Sequence, residues 1–304
     1  MEAPILFLIF NRPDTTKGVF EAIRKAKPPK LFVAADGPRP DKPSEWEKCQ
    51  KVREIATAVD WDCEVKTLFR DTNLGCKVGV SMAIDWFFQH VEEGIILEDD
   101  CLPDQSFFSF CQELLEYYRN DTRIMHISGN NFQSGQTRGC GSYYFSKYAH
   151  IWGWATWRRA WLFYDFAIKT LPKFIQQRGI ESVFQNAKVQ KYWFNNLLAV
   201  FNGKKDTWDY QWNYSIWSQN GLCILPNANL VTNIGFGAGA THTKGENLPQ
   251  LHVSIEKMRF PLNHPFFVIR DEFADSYTDK YIFCKRHLLI RLINRFRRYI
   301  GWKF

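Results

Sequence analysis

Short apolar runs separated by amphipathic stretches occupy the first third of the chain. The runs predict buried strands of a mostly parallel sheet at residues 4–10, 31–35, 63–68 and 94–97. The stretches between them predict helices at about residues 14–25, 45–59 and 78–90, with Asp14 or Thr15 as the cap of the first. Strands that alternate with helices predict βαβ units and therefore an α/β fold.

The rest of the chain has a less regular pattern. It predicts a strand at residues 124–128, helices at about 107–119 and 180–201, a tryptophan-rich segment at 152–161 and a glycine-rich loop at 233–244. From about residue 279 the pattern becomes that of a basic amphipathic helix, with Arg291, Arg295 and Arg298 roughly opposite its apolar face.

Polar side chains follow each of the first four predicted strands. They are Asn11 and Arg12, then Asp36, then Arg70, and finally the acidic triplet Glu98-Asp99-Asp100. In open α/β sheets, ligands bind at the carboxyl ends of the strands. The sequence therefore predicts a ligand site where these strand ends meet.

The acidic triplet indicates a metal ion. Three adjacent carboxylates repel one another unless a cation accompanies them, and Mg²⁺ or Mn²⁺ accepts such oxygen ligands together with substrate phosphates. A metal ion in this position neutralises a departing diphosphate. The alternative is a solvated acidic turn after a strand.

An ordered set of motifs resembles the GT-A glycosyltransferases over about residues 3–265. The set is NRPD at 11–14, Asp36, Arg70 with NLG at 73–75, EDD at 98–100 and WGWATW at 152–157. The inverting N-acetylglucosaminyltransferase I type is similar in its Glu-Asp-Asp metal motif, and a bacterial group of sugar-nucleotide transferases is similar in its strand–NRPD opening. The resemblance implies a GT-A (Rossmann-like) mixed, mostly parallel sheet flanked by helices, with a C-terminal amphipathic helix beyond it.

The resemblance also implies roles for individual residues. Asp100 is the expected metal ligand, for Mn²⁺ or Mg²⁺, and the expected donor substrate is a UDP-sugar. Glu98 and Asp99 are expected to face the ribose and base, and the nucleotide pocket is expected to be lined by Asn11, Arg12, Asp36, Arg70 and the loop that starts at Asn73. We expect a nucleotide-sugar-binding half at residues 1–105, an acceptor-binding half at 106–265 and a basic tail at 266–304.

Asp209 is the candidate catalytic base. An inverting transferase needs a carboxylate that takes the proton of the acceptor hydroxyl, and this group must come from a segment other than the metal motif. The segment 206–212, DTWDYQW, surrounds Asp209 with aromatic residues that suit a saccharide acceptor. Asp206 is the rival base, and a helix cap is the structural alternative for both.

Two further residues are weaker candidates for ligand contact. Trp154 can stack on a sugar ring, although a buried aromatic turn is the alternative. His242, after the glycine-rich loop, can bind the metal or the diphosphate, although an exposed histidine on a flexible loop is the alternative. Aromatic residues make up 16% of the chain, and most of them must form the core.

Charge and cysteine content bear on partners and location. The formal net charge of +7 favours anionic partners, and the absence of RNA-binding or zinc-finger signatures predicts no nucleic-acid partner. The eight scattered cysteines predict reduced thiols in the cytoplasm. The apolar run at 5–10 is too short for an export signal, and no run approaches the ~20 residues of a spanning helix. The basic tail predicts peripheral attachment to an anionic membrane surface, with a helix docked on the domain as the alternative.

The sequence therefore predicts a metal-dependent, inverting glycosyltransferase that acts on a saccharide or lipid-linked saccharide acceptor in cell-surface polysaccharide or glycolipid assembly. A sugar-nucleotide nucleotidyltransferase is the rival enzyme, although such enzymes carry a glycine-rich basic loop where this chain has NRPD. A non-catalytic sugar-binding protein at a membrane is the third possibility, and it leaves the acidic triplet unexplained.

Overall fold

The computed structural model describes residues 1–235 and 253–284. Its strands are β1 Ile5–Ile9, β2 Lys30–Ala35, β3 Glu64–Phe69, β4 Glu93–Glu98, β5 Cys101–Pro103, β6 Ile124–Ser128, β7 Tyr143–Ser146, β8 Trp154–Trp157, β9 Leu222–Pro226 and β10 Val231–Asn233. Its helices are α1 Pro13–Ala26, α2 Glu45–Thr57, α3 Gly75–His90, α4 Gln105–Tyr117, α5 Arg158–Trp161, α6 Leu171–Gln176, α7 Gly179–Val183, α8 Ala187–Phe201, α9 Asp209–Ser218 and α10 Glu272–Thr278, which continues into a π-helical segment, Asp279–Phe283.

Eight strands form one mixed sheet in the order β3-β2-β1-β4-β8-β6-β9-β7. The first four strands of this order run parallel, as the βαβ pattern predicts. Strand β8 lies antiparallel between β4 and β6, while β6 pairs in parallel with β9 and β7 closes the sheet antiparallel to β9. Strands β5 and β10 form a separate antiparallel ribbon. The predicted α/β fold with a mostly parallel sheet flanked by helices is confirmed.

Hydrophobic residues cover both faces of this sheet. Along β1, Ile5, Phe7 and Ile9 belong to one core cluster, and Leu6 and Leu8 belong to the other. Because successive side chains of a strand point to opposite faces, a strand covered on both sides must be apolar throughout. This requirement explains the continuous apolar run at the start of the chain.

Several predicted boundaries differ from the structure. Helix α1 begins at Pro13 and has no side-chain cap, so the predicted capping by Asp14 or Thr15 is wrong. Proline suits this position because the first helical N–H has no partner within the helix. The single helix predicted at 180–201 is two helices, since Asn186 interrupts it and caps α8 by accepting a hydrogen bond from the backbone of Lys188 at 2.9 Å.

The domain extends beyond the expected boundary at residue 265. Ala274 is buried in the second core cluster, and Asp271 N donates to Phe145 O of the edge strand β7 at 2.8 Å. The segment at 271–284 is therefore packed on the sheet rather than part of a separate tail. The rest of the expected tail, residues 285–304, lies outside the described residues.

All eight cysteines are free thiols in the structure. Within residues 1–235 and 253–284, the structure contains no helix whose length and apolar character would let it cross a bilayer.

Candidate active site

A cavity of about 790 Å³ opens at the carboxyl ends of β1, β2 and β4. The predicted strand-end residues meet there with a segment from the second half of the chain. The polar residues that the sequence singled out and that line this cavity are Arg12, Asp36, Arg70, Asn73, Glu98, Asp99, Asp100, Asp206 and Asp209. The carboxyl ends of parallel strands lie at the same edge of a sheet. Residues nearly 90 positions apart in the sequence, such as Arg12 and Asp99, therefore lie together in this cavity.

Arg12 connects the acidic triplet to the end of β1. Its guanidinium donates to Asp99 Oδ1 and lies 3.0 Å from Asp100 Oδ2. Asp99 also accepts from the backbone N–H of Phe10 at 3.2 Å and is only 3% exposed. Because both of its oxygens accept hydrogen bonds and little of its surface is exposed, Asp99 holds Arg12 in place. Its expected contact with the ribose or base stays a prediction.

Glu98 has the least compensated carboxylate of the triplet. Burial and the neighbouring Asp100 and Asp99 raise its pKa, and the Arg12 guanidinium opposes that rise. Burial likewise raises the pKa of Asp99, with Arg12 opposing it. Carboxylates that are crowded and desolvated in this way favour a bound cation or proton donor. The triplet is therefore suited to a ligand that supplies positive charge or hydroxyl groups.

Asp36 connects the loop after β2 to the loop before α3 at the cavity wall. Its carboxylate accepts from the backbone N–H groups of Gly37, Leu74 and Gly75 at 2.9–3.1 Å. Asn73 adds a bond from its side-chain amide to Gly37 O at 2.9 Å. Burial raises the pKa of Asp36, while these backbone bonds lower it. Most of its acceptor capacity is used within the protein, so it positions the start of α3 at the cavity wall.

Asp209 enters the cavity from α9, in a different part of the chain from the triplet. It lies in the first turn of α9 and accepts a hydrogen bond from the Thr207 hydroxyl. Burial raises its pKa, while Thr207 and the ammonium group of Lys205 lower it. Asp209 in turn contributes to the raised pKa of Glu98. A half-buried carboxylate with a raised pKa is suited to accept a proton.

Asp206 has a structural role that Asp209 lacks. It is exposed, and its Oδ1 accepts from the backbone N–H of Lys77 in the first turn of α3 at 3.3 Å. Gly75, with φ +79°, lies so close that an added Cβ would be 3.1 Å from Asp206 Oδ2. The helix-cap alternative therefore fits Asp206, and Asp209 is the better candidate base.

Two predicted ligand contacts are not where the sequence placed them. Trp154 is fully buried in the central strand β8 and stacks on Trp208 with ring centroids 5.6 Å apart, so its indole does not reach the cavity. Asn11 turns away from the lining and donates to Glu45 Oε1 at 3.0 Å. The structure therefore favours the buried-aromatic alternative for Trp154, and it directs the side chain of Asn11 to the first residue of α2. His242 lies outside the described residues.

Several residues that line the cavity were not predicted individually from the sequence. Trp152, Lys205 and His150 line the cavity, and so does Trp208, although its side chain is 2% exposed. His150 is 6% exposed, and its Nε2 has no hydrogen-bond partner among the described residues. The aromatic-rich context of Trp152 and Trp208 hinted at their position, but nothing local to His150 or Lys205 distinguishes them from core or surface residues.

A metal ion at this edge of the sheet would need ligands from a substrate as well as from the protein. Among the described residues, no group of three or more His, Cys, Asp or Glu side chains is arranged to hold a metal ion. Mg²⁺ is commonly bound by one or two carboxylates together with substrate phosphates and water. The backbone of Gly235 passes so close to Asp100 and Arg12 that an added Cβ would overlap both side chains. This backbone therefore lies against one side of the Asp100 carboxylate.

Comparisons with known proteins give distant structural likenesses only. No protein-family model matches the chain, and no curated protein matches it. Mouse xyloside xylosyltransferase 1 aligns over 72% of this chain and 82% of its own with 11% identity and a TM-score of 0.35. HddC from Yersinia pseudotuberculosis aligns over 57% of this chain and 86% of its own with 9% identity and a TM-score of 0.34. The 4-diphosphocytidyl-2C-methyl-D-erythritol synthase from Anaerococcus prevotii DSM 20548 aligns over 57% and 77%, with 8% identity and a TM-score of 0.33.

Proposed function

We propose that this chain is a glycosyltransferase that moves a sugar from a nucleotide-diphosphate donor, a UDP-sugar, to a hydroxyl group of a saccharide acceptor with inversion of configuration. One observation carries the proposal. A single cavity holds a crowded acidic triplet with its arginine partner and also a separate half-buried carboxylate, Asp209, on a different element. Such a cavity suits a reaction in which the residues at one end stabilise a leaving diphosphate and a carboxylate at the other end removes a proton.

The donor end has both signs of charge that a nucleotide diphosphate requires. Arg12 and Arg70 supply cations for the phosphates, and Asp100 is the residue that would hold Mn²⁺ or Mg²⁺. When bound, the metal ion neutralises the developing charge on the diphosphate. Glu98, which accepts no hydrogen bond from the described residues, is available to a ribose or sugar hydroxyl of the donor.

The acceptor end is built around Asp209. Its carboxylate takes the proton from the acceptor hydroxyl while the acceptor oxygen bonds to the anomeric carbon and the bond to the diphosphate breaks. Thr207 orients the carboxylate, and burial raises its proton affinity toward the range useful for general-base catalysis. Trp152 and Tyr210 line this cavity and are only partly buried, so their rings offer apolar surfaces to a sugar. We assign the acceptor to a saccharide or lipid-linked saccharide, as in cell-surface polysaccharide assembly.

Asp209 favours this proposal over nucleotidyl transfer. In nucleotidyl transfer the nucleophile is a sugar phosphate, which is already ionised at neutral pH and needs no base. A buried carboxylate near the acidic triplet would then add charge repulsion without a chemical role. The non-catalytic alternative, a sugar-binding protein at a membrane, does not explain the acidic triplet.

A panel of nucleotide sugars with Mn²⁺ or Mg²⁺, scored for nucleotide release with and without saccharide acceptors, tests the proposal. We expect UDP release from a UDP-sugar that depends on the metal ion, and its loss in Asp100→Ala. Asp62→Ala, which removes an exposed acid far along the chain from the triplet, is the matched control and should keep full activity.

Other results would contradict parts of the proposal. Diphosphate release from UTP and a sugar 1-phosphate, without UDP release from any UDP-sugar, would assign the chain to the nucleotidyltransferases. Unchanged turnover in excess chelator would remove the metal ion from the mechanism. Peripheral attachment to the cytoplasmic face of a membrane through the tail at 285–304 stays a prediction.

A further inference from the structure

A group of apolar side chains projects into solvent on the segment 266–273, which we call the phenylalanine loop. Phe266, Phe267, Ile269 and Phe273 are 89%, 66%, 68% and 83% exposed. The rings of Phe266 and Phe267 contact each other, with centroids 4.8 Å apart. Single exposed apolar residues are ordinary on protein surfaces, but grouped ones mark interaction sites.

The backbone holds these side chains outward. At one end, Ser142 N donates to Asn263 O at 2.7 Å, and Asn263 N donates to Ser142 Oγ at 2.9 Å. At the other end, Asp271 N donates to Phe145 O. Between these anchors, Val268 packs inward on the first core cluster. The loop is thus fastened to the edge strand β7, and its exposed side chains are displayed by a fixed backbone.

The charge around the loop indicates what it contacts. In the described residues around the loop, the cations Lys257, Arg259 and Arg270 are balanced by Glu256, Asp271 and Glu272, and Glu272 is paired with Arg270 at 3.0 Å. By sequence, residues 285–304 contain no Asp or Glu and carry Lys285, Arg286, Arg291, Arg295, Arg297, Arg298 and Lys303. The positive charge therefore lies in the sequence that follows the loop. Large apolar side chains in the same chain as so basic a segment match an anionic bilayer, in which rings enter the acyl boundary and cations meet the head groups.

We propose that the phenylalanine loop inserts into the interface of an anionic lipid bilayer and is a membrane-binding site of this protein. Stable attachment to a bilayer usually takes two signals, here the aromatic loop and a basic region of the same chain. The loop residues lie outside the lining of the cavity, so this inference holds whether or not the proposed catalytic function is right.

Co-sedimentation of the full chain with phosphatidylcholine vesicles, with and without phosphatidylglycerol, tests the site. The wild type should bind the anionic vesicles, and Phe266→Ser/Phe267→Ser should bind them about tenfold more weakly or worse, because two large apolar groups no longer leave water. Leu162→Ser, which alters an equally exposed apolar residue after α5, is the matched control and should bind like the wild type. Since both phenylalanines are exposed, the double variant should keep the wild-type melting temperature.

Equal binding by the double variant and the wild type would overturn the proposal, as would no binding by the wild type at low salt. A second experiment identifies the occupant directly. With p-benzoylphenylalanine in place of Phe267, irradiation in the presence of anionic vesicles should yield a lipid adduct. Crosslinking to residues 285–304 would instead mean that the chain covers its own loop, and a crosslinked dimer would mean that a second copy does; either result overturns the proposal.

Discussion

Replacement of Asp209 by asparagine tests the proposed chemistry most directly. The amide is nearly the same size as the carboxylate, and its oxygen can still accept the hydrogen bond from Thr207. It cannot accept a proton from the acceptor hydroxyl. Positioned general bases contribute ~10²–10⁴-fold to rate, which corresponds to about 2.7–5.5 kcal/mol of transition-state stabilisation. We therefore expect Asp209→Asn to lose transfer by that factor and to keep its fold.

The assay follows transfer and donor binding separately. Initial rates of product formation should fall in Asp209→Asn, while the rise in melting temperature caused by UDP with Mn²⁺ should match that of the wild type. Asp206→Asn is the control, because Asp206 caps α3 through the backbone of Lys77 and is exposed. That variant should retain most of its activity.

The pH profile gives an independent readout. The base acts only as a carboxylate, and burial raises its pKa, so kcat/KM should fall as the pH decreases through a value above the usual aspartate range. The residual activity of Asp209→Asn should lack this acidic limb. Transfer within about threefold of wild type, well inside the range expected for a positioned base, would refute Asp209 as the base. A product with retained anomeric configuration would refute the single in-line displacement.

Three further predictions concern stability. Asp36→Ala should lower the free energy of unfolding by about 2–3 kcal/mol in chemical denaturation, because three backbone N–H groups lose their acceptor; a change below ~0.5 kcal/mol would contradict this role. Gly94→Ala should cost about 1–3 kcal/mol in the same measurement, since its Cβ would overlap the Phe87 ring and Pro4 O, and a neutral result would mean that β4 shifts freely. Burial lowers the pKa of His126 to about 3, so between pH 6.5 and pH 5 the unfolded state gains a proton there that the folded state does not. The wild type should therefore lose about 2 kcal/mol more than His126→Gln over that interval, and equal slopes would refute this assignment.

The sequence by itself determined the first half of the fold and the place of the site. A strand covered on both faces has to be apolar throughout, so β1, β2 and β4 were visible as runs of apolar residues. Parallel connections bring the carboxyl ends of such strands to one edge, so the polar residues after them could be expected to meet. Arg12 and Asp100 were predicted in this way without any knowledge of their contacts.

Only the tertiary structure decided which side chains face the cavity. Trp154 and Trp152 are two residues apart, yet the pairing of β8 between β4 and β6 buries the first, while the second lines the cavity. Asp206 and Asp209 are alike in sequence context, and the packing of the segment before α9 against the start of α3 makes Asp206 a cap. Hydrophobic periodicity records how deeply a position is buried, but the partner of a polar group is set by elements distant in sequence. For that reason the sequence identified the edge of the sheet where the candidate site lies, and only the assembled fold showed which side chains contact one another there.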